Sequence, residues 1–480
     1  MKKHPLHTDE SAPQTVTEFI KLRTVQEAIQ IGFTDQRVSP RAGLAAFVGF
    51  LHWHNLPGLL SKWLPHRPSS NNASEPSDTA LGFVSGILAG ATKLVQVAGL
   101  RGDQALAKLL RVERLPSQST LTRFFQVFDG AALNLRTFDP VWRWCLERLK
   151  SRPEGYTLDL DSTQLLHEDH HHAEGIRTGH TPLGKKRCFN PLLGFLAEAH
   201  LVCGFWLRPG NTVSFNNVIA FTLSLLERLP RYVRIGLVRA DSGFLYEDWL
   251  QLLEEKNLKY IVVGKLYQPV RSLIRRQQQW QSTEVNGTEV CDLVHQEWSW
   301  RTARRVILIR HRVCDKRRPG GKMLVDLPAY RFQVLVTNLG PETSAINVWR
   351  RYNGRAGSEN VIKELDAHFA LPQLCLKKFW SSEAALSLGV FSYNLCVLFQ
   401  RHLGWKDRVL ANTLRFRLFM TAGIFSRTGG VDTIRLAVPD SQRSWWRRLF
   451  EKLISPFPNC NSVEPCPMPH PLRPKNTHRE

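Results

Sequence analysis

The chain has 480 residues, the length of about three domains, and it carries a formal charge of +22. Such an excess of Lys and Arg is typical of a protein whose partner is a polyanion. A hydrophobic share of 43%, with 14 Trp and 25 Phe, excludes global disorder. The basic residues are spread along the chain rather than gathered on one amphipathic helix, which argues against a protein of the membrane surface.

Signals for export or for a membrane span are weak in this sequence. Two lysines near the N-terminus are followed by no apolar stretch, so this segment does not resemble a signal peptide. The apolar segments 80–92 and 384–400 are short against the about 20 residues that cross a bilayer, and we interpret them as buried helices. The nine cysteines include no C-x-x-C pair and predict reduced thiols in a cytosolic protein.

The sequence pattern predicts that residues 1–150 form a helical region. Ser39 and Pro40 form an N-cap and first-turn pair in front of an apolar run. Two short predicted helices, 103–112 and 119–128, then flank a tight turn. Such a pair is compatible with a helix-turn-helix that contacts DNA and with an ordinary capped hairpin, and the sequence leaves both open.

Predicted strands and helices alternate over residues 151–267. In the strand YTLDLDST, Asp159 and Asp161 share one face because successive side chains alternate between the two faces. A second buried strand ends at Asp241 in a polar turn. The order of three strands, helix, strand, helix and strand is that of a ribonuclease-H-like sheet flanked by helices, although the spacing also permits other α/β arrangements.

Further segments complete the predicted organisation. Residues 268–340 are basic and rich in strand patterns, and we interpret them as an insertion into the α/β core. Residues 341–400 form the last helical part of that core, and residues 401–454 a basic helical C-terminal region. Residues 455–480 are rich in Pro without periodicity, which predicts a disordered tail.

The stretch YNGRAGSENVIKEL carries three polar side chains at helical spacing. Tyr352, Arg355 and Glu359 are three and then four residues apart, which places all three on one face of a helix. A phenol, a guanidinium and a carboxylate directed the same way suit a phosphodiester and a metal ion. An ordinary ion pair on a surface helix has the same spacing, so the stretch alone does not decide its role.

A cluster of three carboxylates is predicted at the edge of the sheet. Asp161 and Asp241 end two strands and can lie close together, with Glu359 on a helix packed across the sheet. Converging carboxylates raise one another's pKa unless a cation neutralises them, and oxygen ligands with room for water suit Mg2+ or Mn2+. Two such ions, about 3.5–4 Å apart, activate a water or a 3′-hydroxyl and stabilise the leaving oxygen of a phosphodiester.

These motifs together resemble those of a known family. DLDST, RADSGF, a long β-rich insertion and the pattern Y-x2-R-x3-E are similar to the motifs of DDE transposases of bacterial insertion sequences. The branch resembled writes its last motif Y-x2-R-x3-E-x6-K, and the resemblance covers residues 156–371. It implies that Asp161, Asp241 and Glu359 bind two divalent ions and that residues 1–150 bind DNA.

The resemblance also implies an activity. A transposase of this kind binds the inverted ends of its insertion sequence, cleaves double-stranded DNA with metal-activated water and joins the freed 3′-hydroxyl ends to target DNA. It would act as a homodimer that pairs two ends, in the bacterial cytoplasm at the nucleoid. A metal-dependent nuclease of the same core fold and a non-catalytic DNA-binding regulator derived from a transposase are the alternatives.

The last motif matches the family in part. Tyr352 and Arg355 match positions that these enzymes use on the DNA backbone near the cleaved end. The family's lysine has no match, because Asp366 stands in its place. Lys363, one helical turn after Glu359, is the candidate replacement as a DNA contact.

Other polar residues near the motifs have competing interpretations. Asp159 shares a strand face with Asp161 and is a rival metal ligand. Glu364 and Asp366 are predicted to be solvated. The run of His, Glu and Asp at 167–172 suggests zinc, but we interpret it as a solvated loop, because consecutive side chains point in different directions and no Cys is near.

Overall fold

The structure of the chain is a computed structural model, which describes residues 20–23, 28–31, 33–65, 73–167, 172–181, 183–313 and 321–454. The predicted disordered tail, 455–480, lies outside the described residues. The same holds for residues 168–171 of the histidine-rich run.

Strands and helices alternate along most of the described chain. In chain order, the strands are β1 Ile20–Arg23, β2 Ala28–Ile31, β3 Arg37–Ser39, β4 Tyr156–Ser162, β5 Leu165–Leu166, β6 Arg177–Thr181, β7 Gly184–Phe189, β8 Leu192–Leu196, β9 Leu201–Trp206, β10 Ile235–Ala240, β11 Tyr260–Val263, β12 Gln281–Ser282, β13 Thr288–His295, β14 Arg304–Arg312, β15 Lys322–Leu324, β16 Leu327–Thr337, β17 Gly423–Thr428 and β18 Val431–Leu436. The α-helices are α1 Leu44–Trp53, α2 Leu56–Trp63, α3 Pro76–Leu88, α4 Leu94–Gly99, α5 Gln104–Leu109, α6 Gln118–Gln126, α7 Ala131–Leu146, α8 Val218–Arg228, α9 Glu247–Glu255, α10 Gln268–Arg276, α11 Ala345–Asn353, α12 Ala356–His368, α13 Phe379–His402, α14 Ala411–Leu414 and α15 Asp440–Ile454.

The main sheet runs in the order β12–β13–β14–β16–β11–β10–β4–β8–β9, with β15 paired to β16. β10 is parallel to both β4 and β11, whereas the other pairs are antiparallel. The carboxyl ends of β4, β10 and β11 therefore meet at one edge of the sheet. Leu160 and Ala240 are register partners at this edge, so the residues that follow them, Asp161 and Asp241, lie on neighbouring strand ends.

The central strand β4 is covered on both faces. Leu158 and Leu160, on one face, are 1% and 0% exposed and belong to the main apolar core. Asp159 and Asp161 lie on the opposite face, where Ser358 and Arg355 at the start of α12 contact them. Burying two carboxylates on one strand is costly unless each is paired, so this face needs polar partners from the helix.

The predicted insertion, residues 268–340, continues the main sheet. It contains α10 and the strands β12–β16. β16 pairs with β11 of the core on one side and with β14 on the other, so backbone hydrogen bonds run from the core strands directly into the added strands. Both faces of β14 are covered, because the consecutive residues Val306 and Ile307, which point to opposite faces, are both buried. The segment therefore adds strands beside β11 to the main sheet and is not a separately folded β domain.

Helix α13 is the centre of the helical part. It packs against α1, α3, α6, α7 and β9, so the N-terminal helices share an apolar core with the sheet. By length and composition, α13 is the helix among the described residues that could cross a membrane, but its apolar window is 100% buried inside the fold. It is the buried helix that the sequence predicts at 384–400.

Two regions predicted to be helical also contain strands. Residues 1–150 include β1–β3, and residues 401–454 include β17 and β18 between helices. β3, β17 and β18 form a separate sheet that joins the two ends of the described chain. Its hairpin turn, Gly429-Gly430, has positive φ at both residues, a conformation that glycine adopts without steric cost. The helical prediction for 401–454 was wrong here because this hairpin signal was overlooked.

Candidate active site

The three predicted carboxylates come from three different elements at the same edge of the sheet. Asp161 is the next-to-last residue of β4, and Asp241 directly follows β10. Glu359 lies in the first turn of α12. The parallel register of β4 and β10 brings the two aspartates together, and α12 packs across this edge.

Asp161 is buried and partly neutralised. It is 8% exposed, its Oδ1 accepts a hydrogen bond of 2.8 Å from the Ser162 amide, and its Oδ2 lies 2.7 Å from Nη2 of Arg355. Burial raises the pKa of Asp161 to about 6, the Arg355 guanidinium opposes this shift, and the carboxylates of Asp241 and Glu359 add to it. Asp241 and Glu359 are therefore each close enough to repel the carboxylate of Asp161.

Asp241 begins a tight turn that is held against the loop after β9. Its Oδ1 accepts a hydrogen bond of 2.8 Å from the Gly243 amide and so caps a single 3-10 turn at Ser242–Phe244. The Ser214 hydroxyl lies 2.8 Å from that of Ser162, next to Asp161. A Cβ at position 243 would lie 2.7 Å from Ser214 Oγ, so glycine permits this approach. The turn and the loop thus support the two aspartates from one side.

The stretch from Tyr352 to Glu359 was predicted as one helix and is two. α11 ends at Asn353 and α12 begins at Ala356. Hydrogen bonds from residue 355 to 352 and from residue 358 to 355, each 2.9 Å, tighten the junction into a 3-10 turn. The junction keeps helical backbone angles, so the side chains of Tyr352 and Glu359 both still approach Arg355.

Arg355 lies among the carboxylates and not on the surface. It is 6% exposed, its Nη1 is 3.7 Å from Oε1 of Glu359, and its Nη2 donates to the Leu160 carbonyl at 3.3 Å. Its Nε finds no hydrogen-bond partner among the described residues. Burial lowers the pKa of Arg355, but Asp161 and its neighbours outweigh burial and raise it. In this state the guanidinium holds the carboxylates, whereas the sequence predicts a contact with DNA.

Tyr352 and Lys363 flank the carboxylates. Tyr352 is half-buried, and burial together with the fields of Asp241, Asp161 and Glu359 raises the pKa of its phenol to about 12, although Arg355 opposes the shift. The phenol is therefore neutral at pH 7 and can donate a hydrogen bond. Lys363 is exposed one turn beyond Glu359 on α12.

The prediction that Glu364 and Asp366 are solvated was wrong. Glu364 is 4% exposed, pairs with Arg408 and accepts a hydrogen bond of 2.8 Å from the Ala411 amide. It thereby ties α12 to the start of α14. Asp366 is half-buried, and burial raises its pKa to about 6. The position of the family's lysine thus faces the protein, which leaves Lys363 as the exposed cation nearby on α12.

Asp159, the rival ligand, has its oxygens occupied. It is 0% exposed and pairs with Arg239, whose Nε lies 2.6 Å from Oδ1 and whose Nη2 lies 2.8 Å from Oδ2. Asp161, with one oxygen on a single amide and the other on Arg355, is the better ligand. Arg239 was missed by the sequence analysis, although its place two residues before Asp241 mirrors that of Asp159 before Asp161.

The three carboxylates are suitable ligands for a divalent cation, but in this structure they are not yet arranged around one. Carboxylates are the donors that Mg2+ and Mn2+ prefer, and the repulsion of Asp161 by Asp241 and Glu359 favours a cation beside it. Within the described residues, no three His, Cys, Asp or Glu side chains already surround a common point. Arg355 lies between Asp161 and Glu359, so these two would have to release it to share an ion.

Comparison with known proteins gives the family. The sequence model of the family described as "Transposase DDE domain group 1" matches residues 23–456. A solved structure, the cryo-EM structure of a piggyBac transposase synaptic complex with hairpin DNA, is 12% identical, with a TM-score of 0.42 over 79% of this chain and 78% of that chain. Among proteins with curated descriptions, none matches. Because the family model spans nearly the whole chain, including all three carboxylates, this chain belongs to the group 1 family of DDE-domain transposases.

Proposed function

We propose that this protein is a transposase that binds the inverted ends of its insertion sequence, cleaves them by divalent-metal-dependent hydrolysis and joins the 3′-hydroxyl ends to target DNA. The observation that carries the proposal is geometric: Asp161 and Asp241 lie at the carboxyl ends of two neighbouring parallel strands, and Glu359, in the first turn of α12, shares the guanidinium of Arg355 with Asp161. A structural role alone would not need three carboxylates to approach one guanidinium and one another from three different elements.

We further propose that the catalytic core is ribonuclease-H-like. The order β9–β8–β4–β10–β11 supports this fold, with β8 antiparallel and β10 parallel to the central β4. The same order appears in the sequence pattern as three strands, a helix, a strand, a helix and a strand. It places the two aspartates on adjacent parallel strands.

Asp161, Asp241 and Glu359 would hold one or two Mg2+ or Mn2+ ions. Such ions, when bound, supply an activated water or 3′-hydroxyl and stabilise the leaving oxygen of the phosphodiester. Of the protein groups, Asp161 is ionised above about pH 6 and is then available as a ligand. Arg355, once released from Asp161, would bond a phosphate of DNA bound beside the carboxylates, and Tyr352 would donate its phenol proton to the same backbone.

The DNA surface would include the N-terminal helices. α6 buries Leu121, Phe124 and Phe125 and exposes residues such as Ser119 and Arg123. Ser117 caps the helix by accepting a hydrogen bond from the Thr120 amide at 3.1 Å. An exposed polar and basic face on a capped helix suits a DNA groove, and the charge of +22 suits its phosphates. By the family resemblance, two copies would pair two DNA ends as a homodimer.

A strand-transfer assay tests the proposal. The substrate is the DNA flanking the reading frame, with its inverted repeats, supplied both intact and pre-cut at the 3′ end. We expect the protein to cut the intact ends and to join the pre-cut ends in Mg2+. Asp161→Asn and Glu359→Gln should each lower both rates about a thousandfold, because several kcal/mol of transition-state stabilisation are lost.

The control is Asp440→Asn, which changes an exposed carboxylate on α15. It should cut and join like the unmodified protein. Cutting without joining of pre-cut ends would support the nuclease alternative. The regulator alternative would be supported if the protein bound DNA without cutting it and if Asp161→Asn left both DNA binding and function in cells unchanged.

A further inference from the structure

A buried ion pair lies one layer below the three carboxylates. Asp159 on β4 and Arg239 on β10 are register partners in the parallel pair of strands and bond at two atoms each. Each stands two residues before a carboxylate of the candidate site, Asp161 or Asp241, and so lies on the same face of the sheet. The two exposed fractions are 0% for Asp159 and 5% for Arg239.

The pair also contacts the helix that carries the third carboxylate. The Ser358 hydroxyl donates to Oδ2 of Asp159, and Ser358 directly precedes Glu359. Nη1 of Arg239 donates to the carbonyl of Arg351 in the last turn of α11. A Cβ at position 354 would lie 2.6 Å from that Nη1, so Gly354 allows the turn between the helices to approach the guanidinium.

A buried ion pair is a poor device for stability alone. Taking both charges out of water costs several kcal/mol, and apolar residues of similar size are often at least as stabilising. What the pair provides is direction, because a guanidinium bonds a carboxylate in a fixed plane. This pair joins β4, β10 and the α11–α12 turn, and these are the elements from which the three carboxylates project.

We propose that Asp159, Arg239 and Ser358 are positioning residues. They fix the strands and the helix from which Asp161, Asp241 and Glu359 project, so that these side chains can converge on divalent ions when Arg355 is released, and they do so without touching the ions or the DNA. The inference rests on the proposed metal-binding function of the three carboxylates. A loss of the pair would weaken metal binding even where the fold persists.

Ser358→Ala is the first test, with Mn2+ alone as the probe. The variant removes one hydroxyl and leaves the ion pair in place. Ser381→Ala is the matched control, because Ser381 is also a buried helical serine, 1% exposed, and donates to the Phe128 carbonyl away from the carboxylates. Binding is measured from the free Mn2+ signal in electron paramagnetic resonance and from the Mn2+-dependent rise in the unfolding temperature.

We expect Ser358→Ala to weaken Mn2+ binding about tenfold, as is usual when an outer-shell partner of a metal ligand is removed. Ser358→Thr keeps a hydroxyl and should restore binding, and Ser381→Ala should bind like the unmodified protein. Equal Mn2+ binding by Ser358→Ala and the unmodified protein would overturn the inference.

A second variant tests the pair itself. Asp159→Asn alone leaves a buried guanidinium unpaired and is expected to unfold in part. The double variant Asp159→Asn/Arg239→Gln is neutral, retains hydrogen-bonding groups and should fold by circular dichroism, while binding Mn2+ about 10-fold to 100-fold more weakly. Normal Mn2+ affinity in the folded double variant would contradict the positioning role.

Asp161→Asn separates this inference from the proposed function. If the unmodified protein binds Mn2+, Asp161→Asn abolishes binding and Ser358→Ala does not weaken it, the positioning role alone is wrong. If Asp161→Asn binds Mn2+ as the unmodified protein does, the carboxylates are not the metal site, and both proposals are overturned.

Discussion

The sheet edge carries two layers of charge that differ in how completely they are neutralised. In the inner layer, Asp159 and Arg239 pair one to one at two atoms each. In the outer layer, Asp161 and Glu359 share the guanidinium of Arg355, with Asp241 close enough to raise the pKa of Asp161. The inner layer is balanced and the outer layer has an excess of negative charge. A balanced pair holds structure, whereas the excess attracts a cation.

The largest expected effect is a difference in the free energy of unfolding between a variant of the inner layer and a variant of the outer layer. Asp159→Asn should lower the free energy of unfolding by about 3 kcal/mol, because it leaves the charge of Arg239 buried and unpaired. Asp161→Asn should change it by about 1 kcal/mol or less, because its carboxylate is already disfavoured by burial and by its neighbours. Denaturant unfolding in EDTA measures both. Equal losses in the two variants would remove the distinction between the layers.

Removal of the outer guanidinium should make stability depend on metal. Arg355→Gln leaves Asp161 and Glu359 without the guanidinium that they share and should lower the metal-free free energy of unfolding by about 2 kcal/mol. Added Mn2+ should then raise the unfolding temperature of this variant more than that of the unmodified protein. Arg228→Gln, which removes a buried guanidinium from its pair with half-buried Asp139 elsewhere in the fold, is the control and should show no such extra gain. An equal gain from Mn2+ in both variants would contradict the prediction.

Acid should stabilise the outer layer in the absence of metal. The pKa of Asp161 is raised from 3.8 to about 6, so between these values the folded protein binds a proton there that the unfolded chain does not. Stability from this group therefore increases as the pH falls through 6, by at most about 1.4 kcal/mol per pH unit. Asp161→Asn should lack this part of the pH dependence.

Asp366 titrates in the same range, because burial raises its pKa to about 6. The pH comparison is therefore made between Asp366→Asn and the double variant Asp366→Asn/Asp161→Asn. Since protons compete with metal for the carboxylate of Asp161, the Mn2+ concentration that half-saturates the site should increase below pH 6. A pH-independent difference in unfolding free energy would show that Asp161 does not titrate there.

The smallest effect is expected at the exposed rim. Lys363→Ala should weaken DNA binding several-fold and lower the salt slope of the affinity by about 1, as for one phosphate contact. Lys256→Ala is the matched control, because Lys256 is an exposed lysine directly after α9 and belongs neither to α12 nor to the N-terminal helices. Measurements of affinity from low to high salt decide this, and an unchanged slope in Lys363→Ala would exclude the contact.

Much of the site could be predicted from local patterns. Strand alternation places Asp159 and Asp161 on one face, and helical spacing brings Tyr352, Arg355 and Glu359 to one side, even though the helix is broken in two. Membership of the DDE transposases was predicted from the same motifs and is confirmed by the family model, whereas the bacterial insertion-sequence branch stays a prediction. These patterns are local, since they depend on residues within one turn or one strand.

The partners of buried charges could not be predicted in this way. Glutamate is a residue type usually found on the surface. Glu364 is buried because Arg408 and the Ala411 amide, at the start of α14, neutralise its carboxylate. The extension of the main sheet by residues 268–340 depends likewise on the pairing of β16 with β11. Such contacts join segments far apart in sequence, and the pattern of one segment does not contain the other.

The two aspartates of β4 distinguish what the sequence determines from what only the tertiary structure decides. The sequence by itself determined that Asp159 and Asp161 share a face of one strand, and it predicted that Asp161 can lie close to Asp241. Only the parallel register of β4 and β10 decided their roles, because it places Arg239, 80 residues away, opposite Asp159 and leaves Asp161 at the edge with Arg355. Identical side chains on one strand face thus differ because one is neutralised within the sheet and the other is not.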